Sequence, residues 1–182
     1  VGNAQLDASM HRASEPLLQV SDLRVHFPIH KGVFKRVIGH VKAVDGLSLA
    51  LATGRTLALV GESGCGKTTV GKGILQLIRP TGGSVRFQDD ELTRLRGPLL
   101  RRRRADMQII FQDPYSSLNP RMTLAQILDV PMKIHGLYTD KERRQRIDFL
   151  LRKVGLAPEH GTRYPHEFSG GQRQRIGIAR AL

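Results

Sequence analysis

Acidic residues are scarce in this chain, cysteine is nearly absent, and no apolar run approaches the roughly 20 residues that span a bilayer. Each shortage excludes something. The single cysteine, Cys65, rules out an internal disulfide and fits a reducing compartment. The missing apolar run excludes a membrane-crossing helix. Val1 to Ser14 are polar and mixed, hold no apolar signal core, and read as a loose N-terminal extension. With 16 Asp and Glu against 29 Lys and Arg the net charge is +13, a balance found in proteins that meet nucleic acid or anionic membranes. Arg101 to Arg104 and Lys141 to Lys153 carry much of it. The second cluster reads as the solvated side of a helix with an apolar face of Ile147, Leu150, Leu151 and Val154, so direct nucleic-acid binding is not expected. The 182 residues suffice for one domain with a real core.

What the chain has is glycine at chosen places. Residues 61 to 69 read Gly-Glu-Ser-Gly-Cys-Gly-Lys-Thr-Thr and follow the apolar run Thr56 to Val60, which reads as a buried strand. Gly61, Gly66, Lys67 and Thr68 stand at the spacing of a phosphate-binding loop. Without a Cβ, Gly61, Gly64 and Gly66 let the backbone turn its N–H groups around an anion. Lys67 supplies a positive charge for the β and γ phosphates, and the Thr68 hydroxyl is placed for Mg²⁺. Val70, Ile74, Leu77 and Ile78 mark one face of the helix that follows, ended by Pro80 and Gly82-Gly83. Cys65 reads as an inert small residue, or as a thiol whose alkylation would block the loop.

Around this unit, Leu17 to Phe27 reads as a strand, Pro28 to His40 as a basic loop, and Val41 to Ala52 as a second strand broken at Asp45-Gly46. Ser84 to Phe87 is a short strand, and Gln88 to Leu100 a turn with an irregular helix. Met107 to Phe111 reads as a compact strand ending at Gln112-Asp113-Pro114. From Thr123 the pattern is helical, interrupted at Pro131. The next helix is capped by Thr139 with Glu142 and stopped at Gly155.

A last helix begins at Phe168-Ser169-Gly170-Gly171-Gln172. Ser169 and Gln172 form a capping box. Capping needs neither Gly170 nor Gly171, each of which weakens a first turn by roughly 1 kcal/mol. A hydroxyl and two bare N–H groups at a helix N-terminus make a second phosphate-binding end.

The phosphate loop, Gln112 after a strand, and SGGQ followed by RQRIGIARAL resemble the ATP-binding subunits of ABC transporters. FQDPYSSLNPRMT (Phe111 to Thr123), KGVFKR (Lys31 to Arg36), VKAVDGLSL (Val41 to Leu49) and RYPHEFSGGQRQR (Arg163 to Arg175) are similar to the second ATPase of dipeptide and oligopeptide importers. The resemblance, from about Leu17 to Leu182, implies an α/β P-loop NTPase core with an antiparallel β subdomain and a helical subdomain. It implies that Gly61, Glu62, Ser63, Gly64, Cys65, Gly66, Lys67, Thr68 and Thr69 wrap the triphosphate of ATP. Gln112 would reach Mg²⁺ and the attacking water, while Ser169, Gly170, Gly171 and Gln172 would bind the γ-phosphate of ATP on the opposite subunit. An aromatic near the end of the first strand would stack on adenine, with Phe27 chosen over Phe34. Implied partners are integral membrane permease subunits, a second homologous ATPase subunit in a heterodimer, and indirectly an extracytoplasmic peptide-binding protein. The implied place is the cytoplasmic face of the bacterial inner membrane.

The family pattern continues past the signature helix to a strand ending in Asp-Glu, an Asp-containing loop and a His switch. The sequence runs from Val1 to Leu182 and shows none of these. It therefore reads as an extension (1–16) and a partial ABC ATPase domain (17–182), with the Q-loop and helical subdomain at about 107–168 and the signature helix at 169–182. A non-transport ABC ATPase acting on nucleic acid or ribosomes would need longer insertions, and a simple P-loop kinase leaves SGGQ without a role. The cargo, whether dipeptide, oligopeptide, nickel or glutathione, is not written in these residues. The 182-residue chain alone is expected to bind ATP weakly without turnover; a normal steady-state ATPase rate from it would refute that.

Overall fold

A computed structural model describes residues 16–32, 36–113 and 117–182. It divides into one unit ending at Arg101 and one from Arg102 to Leu182. The N-terminal extension (apart from residue 16), Phe34, and Pro114 to Ser116 lie outside the described residues.

The first unit is organised by a long antiparallel pair, β1 (Leu18–Lys31) and β2 (Arg36–Leu51). β3 (Gly82–Phe87) and β4 (Asp90–Glu91) complete a sheet in the order β2-β1-β3-β4. Val20, Leu23, Val25, Val44, Val85 and Phe87 are buried. Segment 28–40, read as a loop, is largely ladder: Pro28 pairs with His40 and Lys31 with Arg36. β-branched Ile29, Val37 and Ile38 favour extended pairing. The last β3 partner on β1 is Arg24, so Pro28 stands where that edge needs no N–H. The break read at Asp45-Gly46 is a bulge inside a continuous strand. Leu23 opposes Leu47 and Arg24 opposes Asp45, leaving Gly46 extra at φ 85°.

Two strands read from sequence do not form. Thr56 to Val60 and Met107 to Phe111 run as irregular chain, and Val60 is 94% exposed. A parallel strand satisfies its N–H and C=O groups only on neighbours, and the sheet among the described residues is wholly antiparallel.

Helix α1 (Lys67–Ile74) lies against β1, where even a Cβ added to buried Gly73 would stand 3.4 Å from Val25 and 3.6 Å from Leu23, ordinary van der Waals contact. It stops before Leu77 and Ile78, earlier than the apolar stripe implies. Gln76 takes φ 56°, its N–H bonds Gly73 O, and Leu77 N–H bonds Lys72 O at 2.9 Å, a Schellman ending. Burial explains the non-glycine residue there: Gln76 is 3% exposed and its Nε2 donates to Gly73 O at 2.8 Å.

Helix α2 (Gly97–Arg104) carries the chain into the second unit. There α3 (Leu124–Ile134), α4 (Asp140–Lys153) and α5 (Gly170–Ala181) enclose a core of Leu124, Ile127, Leu128, Leu150, Leu151, Phe168 and Ile176. Pro131 does not interrupt α3. A helix-interior proline costs about 3 kcal/mol, whereas Leu124, Ile127, Leu128 and Met132 are all buried, each contributing about 1.5–3 kcal/mol. The Thr139–Glu142 capping box forms as read, and Gly155 ends α4 at φ 73° with Leu156 N–H on Leu151 O. On the solvated side of α4, Phe149 stands among the cations, with Arg146 5.1 Å and Lys153 5.8 Å from its ring centroid. No described helix is long and apolar enough to cross a membrane.

An ion network ties α3 to α4. Asp129 accepts from Arg143 Nε at 2.7 Å and meets Lys133 Nζ at 2.7 Å, while Arg143 also binds Asp140 and Tyr138 O. Desolvation pushes the Asp129 carboxyl up, but the hydrogen bonds and charges of Lys133 and Arg143 outweigh it and hold it below the ordinary range. A depressed carboxyl contributes stability that is complete above its unfolded pKa and lost as pH falls through its folded value. Asp129→Asn should cost about 1.5–3 kcal/mol at neutral pH and flatten the acid limb of stability. Urea unfolding from neutral pH to below the aspartate range reads both, and an unchanged acid limb would refute the network's role.

Candidate functional site

The phosphate loop forms without the strand expected before it. Cys65 N–H bonds Glu62 O at 3.3 Å, which turns the chain back on itself. Gly66 then takes φ 96° as the N-cap of α1, where a Cβ would run into the carbonyl oxygen of Ala43. That close approach seats the loop on β2 and explains why this position is glycine. Val70 N–H to Gly66 O, at 2.9 Å, is the first bond of the helix. α1 starts with no side-chain cap and no acidic residue in its first turn. Its leading N–H groups and positive dipole end are therefore open to an anion.

Lys67 folds across the mouth of this loop. Its Nζ donates to Gly61 O and to Glu62 O, both at 2.6 Å, and lies 3.5 Å from Cys65 Sγ. Both oxygen acceptors are neutral carbonyls, so the ammonium charge is held but not cancelled. Gly61 to Cys65 and Thr68 are exposed, while Thr69 is half-buried. Phe27 sits on β1, 40% exposed, opposite Val41. Val41 lies two residues before Ala43, the residue whose carbonyl approaches Gly66.

Gln112, Ser169 and the two glycines belong to the second unit. Gln112 is exposed at the end of the irregular 107–111 segment. Ser169 caps α5: Gln172 N–H donates to its Oγ at 3.3 Å, and Ser169 N–H donates to Gln172 Oε1 at 2.9 Å. Because Oγ acts as acceptor, its own proton remains available to an external oxygen. A Cβ on Gly170 or Gly171 would meet nothing within 4 Å. Packing among the described residues gives neither glycine a reason. A bare helix N-terminus approached closely by a ligand does.

Sequence reading missed the support beneath Ser169. Phe168 is buried, and the His160 ring meets it edge-on at 5.6 Å. His160 Nδ1 in turn accepts from Ala157 N–H at 3.3 Å, just beyond the end of α4. No spacing rule links residues 157, 160 and 168, so only the fold shows it. Among the described residues no cluster of three or more His, Cys, Asp or Glu could hold a metal. By donor type alone, the Thr68 hydroxyl of the first unit suits Mg²⁺ held chiefly by phosphate oxygens and water.

The sequence profile of the ABC transporter family matches residues 44–182. The chain is 50% identical over 169 residues to the oligopeptide transport ATP-binding protein AppF of Bacillus subtilis (strain 168), covering 92% of this chain and 51% of that protein. It is likewise 50% identical over 169 residues to the glutathione import ATP-binding protein GsiA of Pectobacterium atrosepticum, covering 93% of this chain and 27% of that protein. The chain thus spans about half the length, or less, of these relatives. Among solved structures, the dimeric ATP-binding cassette MJ0796, bound to ADP and Pi after hydrolysis, superposes with a TM-score of 0.76 at 27% identity, over 91% of this chain and 68% of that one.

Cys65 gives a direct probe of the loop, being exposed and within 3.5 Å of Lys67 Nζ. Alkylation with a bulky maleimide should block nucleotide binding, and ATP should slow the labelling at least several-fold. Labelling at the same rate with and without ATP would place the triphosphate elsewhere.

Proposed function

The chain belongs to the ABC transporter family, and from that membership we propose that it is the ATP-binding, energy-coupling part of an importer for peptides. The observation that carries the proposal is the pairing of two helix N-termini of opposite design. α1 is uncapped behind a phosphate loop, and α5 is capped but bears two glycines that no packing among the described residues requires.

ATP phosphates are received by the N–H groups of Gly61 to Thr69. Lys67 leaves the carbonyls of Gly61 and Glu62 and turns to the β and γ phosphates. Mg²⁺, when bound, neutralises developing charge, and the Thr68 hydroxyl and Gln112 would hold it. Gln112 also orients the attacking water, and Phe27 stacks on adenine. Ser169, Gly170, Gly171 and Gln172 bind the γ-phosphate of ATP held by the opposite subunit. Phosphoryl transfer to water depends mostly on positioning and electrostatics, so two chains can share one site. Closure of the dimer around ATP would then move integral membrane permease subunits at the cytoplasmic face of the membrane. A homologous second ATPase completes a heterodimer, and an extracytoplasmic binding protein delivers the cargo. The two curated relatives are, by name, an oligopeptide and a glutathione transport component, which supports a peptide as cargo.

In the full-length protein, Lys67→Ala should abolish nucleotide binding. Ser169→Ala should lower kcat by about 10²–10³, the usual cost of removing one donor to transition-state charge, while leaving nucleotide affinity of the lone subunit unchanged. Steady-state ATPase assays with equilibrium nucleotide binding check both. Wild-type kcat in Ser169→Ala would refute the composite site, and co-purification with nucleic acid in place of membrane subunits would refute import.

A further inference from the structure

We propose that the described end of the β1–β2 ladder, Lys31 with Arg36 to Ile38, is a contact for an anionic lipid surface. The last β3 partner on β1 is Arg24, beyond which β1 and β2 pair only with each other among the described residues. A two-stranded ribbon alone in water is marginal. This one nevertheless reaches the pair Lys31 and Arg36, directly opposite one another. Like charges facing across a ladder are destabilising. No Asp or Glu occurs between Leu23 and Val44 to compensate them. The other ribbon cations are matched, Arg24 by Asp22 and Lys42 by Asp45. Among the described residues, Lys31 and Arg36 have no carboxylate partner.

Aliphatic side chains stand beside these two cations. Ile29 opposes Gly39 and His30 opposes Val37, which leaves Ile38 as the extra residue of a bulge. Val37 is 52% and Ile38 60% exposed. Charges on a strand edge can serve merely to discourage edge pairing. That purpose explains Lys31 and Arg36 but not the exposed Val37 and Ile38. Cations beside short aliphatics match the interface of an anionic bilayer, with phosphates for the charges and the acyl boundary for Val37 and Ile38. A protein partner would need roughly 800 Å² of complementary surface per side, whereas this reading rests on two cations and two aliphatic side chains. A membrane needs no matching shape.

The inference deepens the peripheral membrane location proposed above but requires no permease. It is therefore tested on vesicles that contain none, whereas co-purification with membrane subunits tests the location itself. At low salt the 182-residue chain should float with vesicles of mixed phosphatidylglycerol and phosphatidylcholine, and not with phosphatidylcholine alone. Lys31→Gln with Arg36→Gln should lower the partition coefficient about thirtyfold, since each cation near an anionic surface contributes about 1 kcal/mol. The control Arg101→Gln with Arg102→Gln removes the same net charge from exposed positions of α2 and should lower it by less than about threefold. Thermal melts should show the ribbon variant no less stable than wild type, because it relieves a repulsion. Equal losses in both variants would reduce the effect to net charge. Wild-type flotation of the ribbon variant, or no flotation of the parent, would overturn the proposal. So would retention on an acidic polypeptide resin in place of vesicles, which would make the partner a protein.

Discussion

The first N–H groups of an α-helix need an acceptor, and how this chain supplies one at each helix arranges everything functional in it. α3, α4 and α5 close their own starts with reciprocal boxes, Thr123 with Gln126, Thr139 with Glu142, and Ser169 with Gln172. α1 does not. Its N-cap is Gly66, which has no side chain to offer, and its first turn holds no acid. The acceptor must come from outside, and a phosphate supplies both the oxygens and the charge that the positive dipole end favours. Capping side chains therefore mark structure, and on the proposed reading the withheld cap marks the nucleotide site. α5 lies between the two cases, because Ser169 accepts from Gln172 and still holds a proton to give.

Local chemistry made most of this legible before any fold was known. The two boxes at Thr139 and Ser169 and the stop at Gly155 are each set within a few residues and stand as read, whereas the loop at Gly61 to Thr69 lacks the strand read before it. What sequence misjudged was decided at a distance. Pro28 and Gly39 looked like loop punctuation, but strand pairing claimed them. Pro131 looked like a helix break, but burial of four neighbours carried the helix through it. The Ala43 carbonyl against Gly66 and His160 against Phe168 join residues with no sequence rhythm between them.

Thr56 to Val60 and Met107 to Phe111 show the same lesson from the other side. Both have the largely apolar character of strands buried on two faces in a parallel sheet. Leu57, Leu59, Val60, Ile110 and Phe111 are instead substantially exposed. Composition states what environment a segment is made for, while a ladder exists only where a neighbour supplies the matching groups. The reading of these segments as strands was therefore a statement about their partners as much as about themselves.

On the proposed reading, Lys67 is held where a triphosphate would draw it away. Its ammonium rests on two carbonyls at 2.6 Å, charge-assisted bonds worth about 1.5–3 kcal/mol each at most in net terms. Moving to a triphosphate exchanges those neutral acceptors for formal negative charge. At an effective dielectric near 20, a single unit pair at 4 Å is worth about 4 kcal/mol, and the β and γ phosphates carry more than one charge between them. The exchange therefore favours phosphate over these two carbonyls. A lysine paired with a carboxylate at rest would have to break an ion pair first. Lys67 Nζ meets two backbone carbonyls and Cys65 Sγ, none of them a carboxylate, and on the proposed reading this leaves its charge available to the nucleotide.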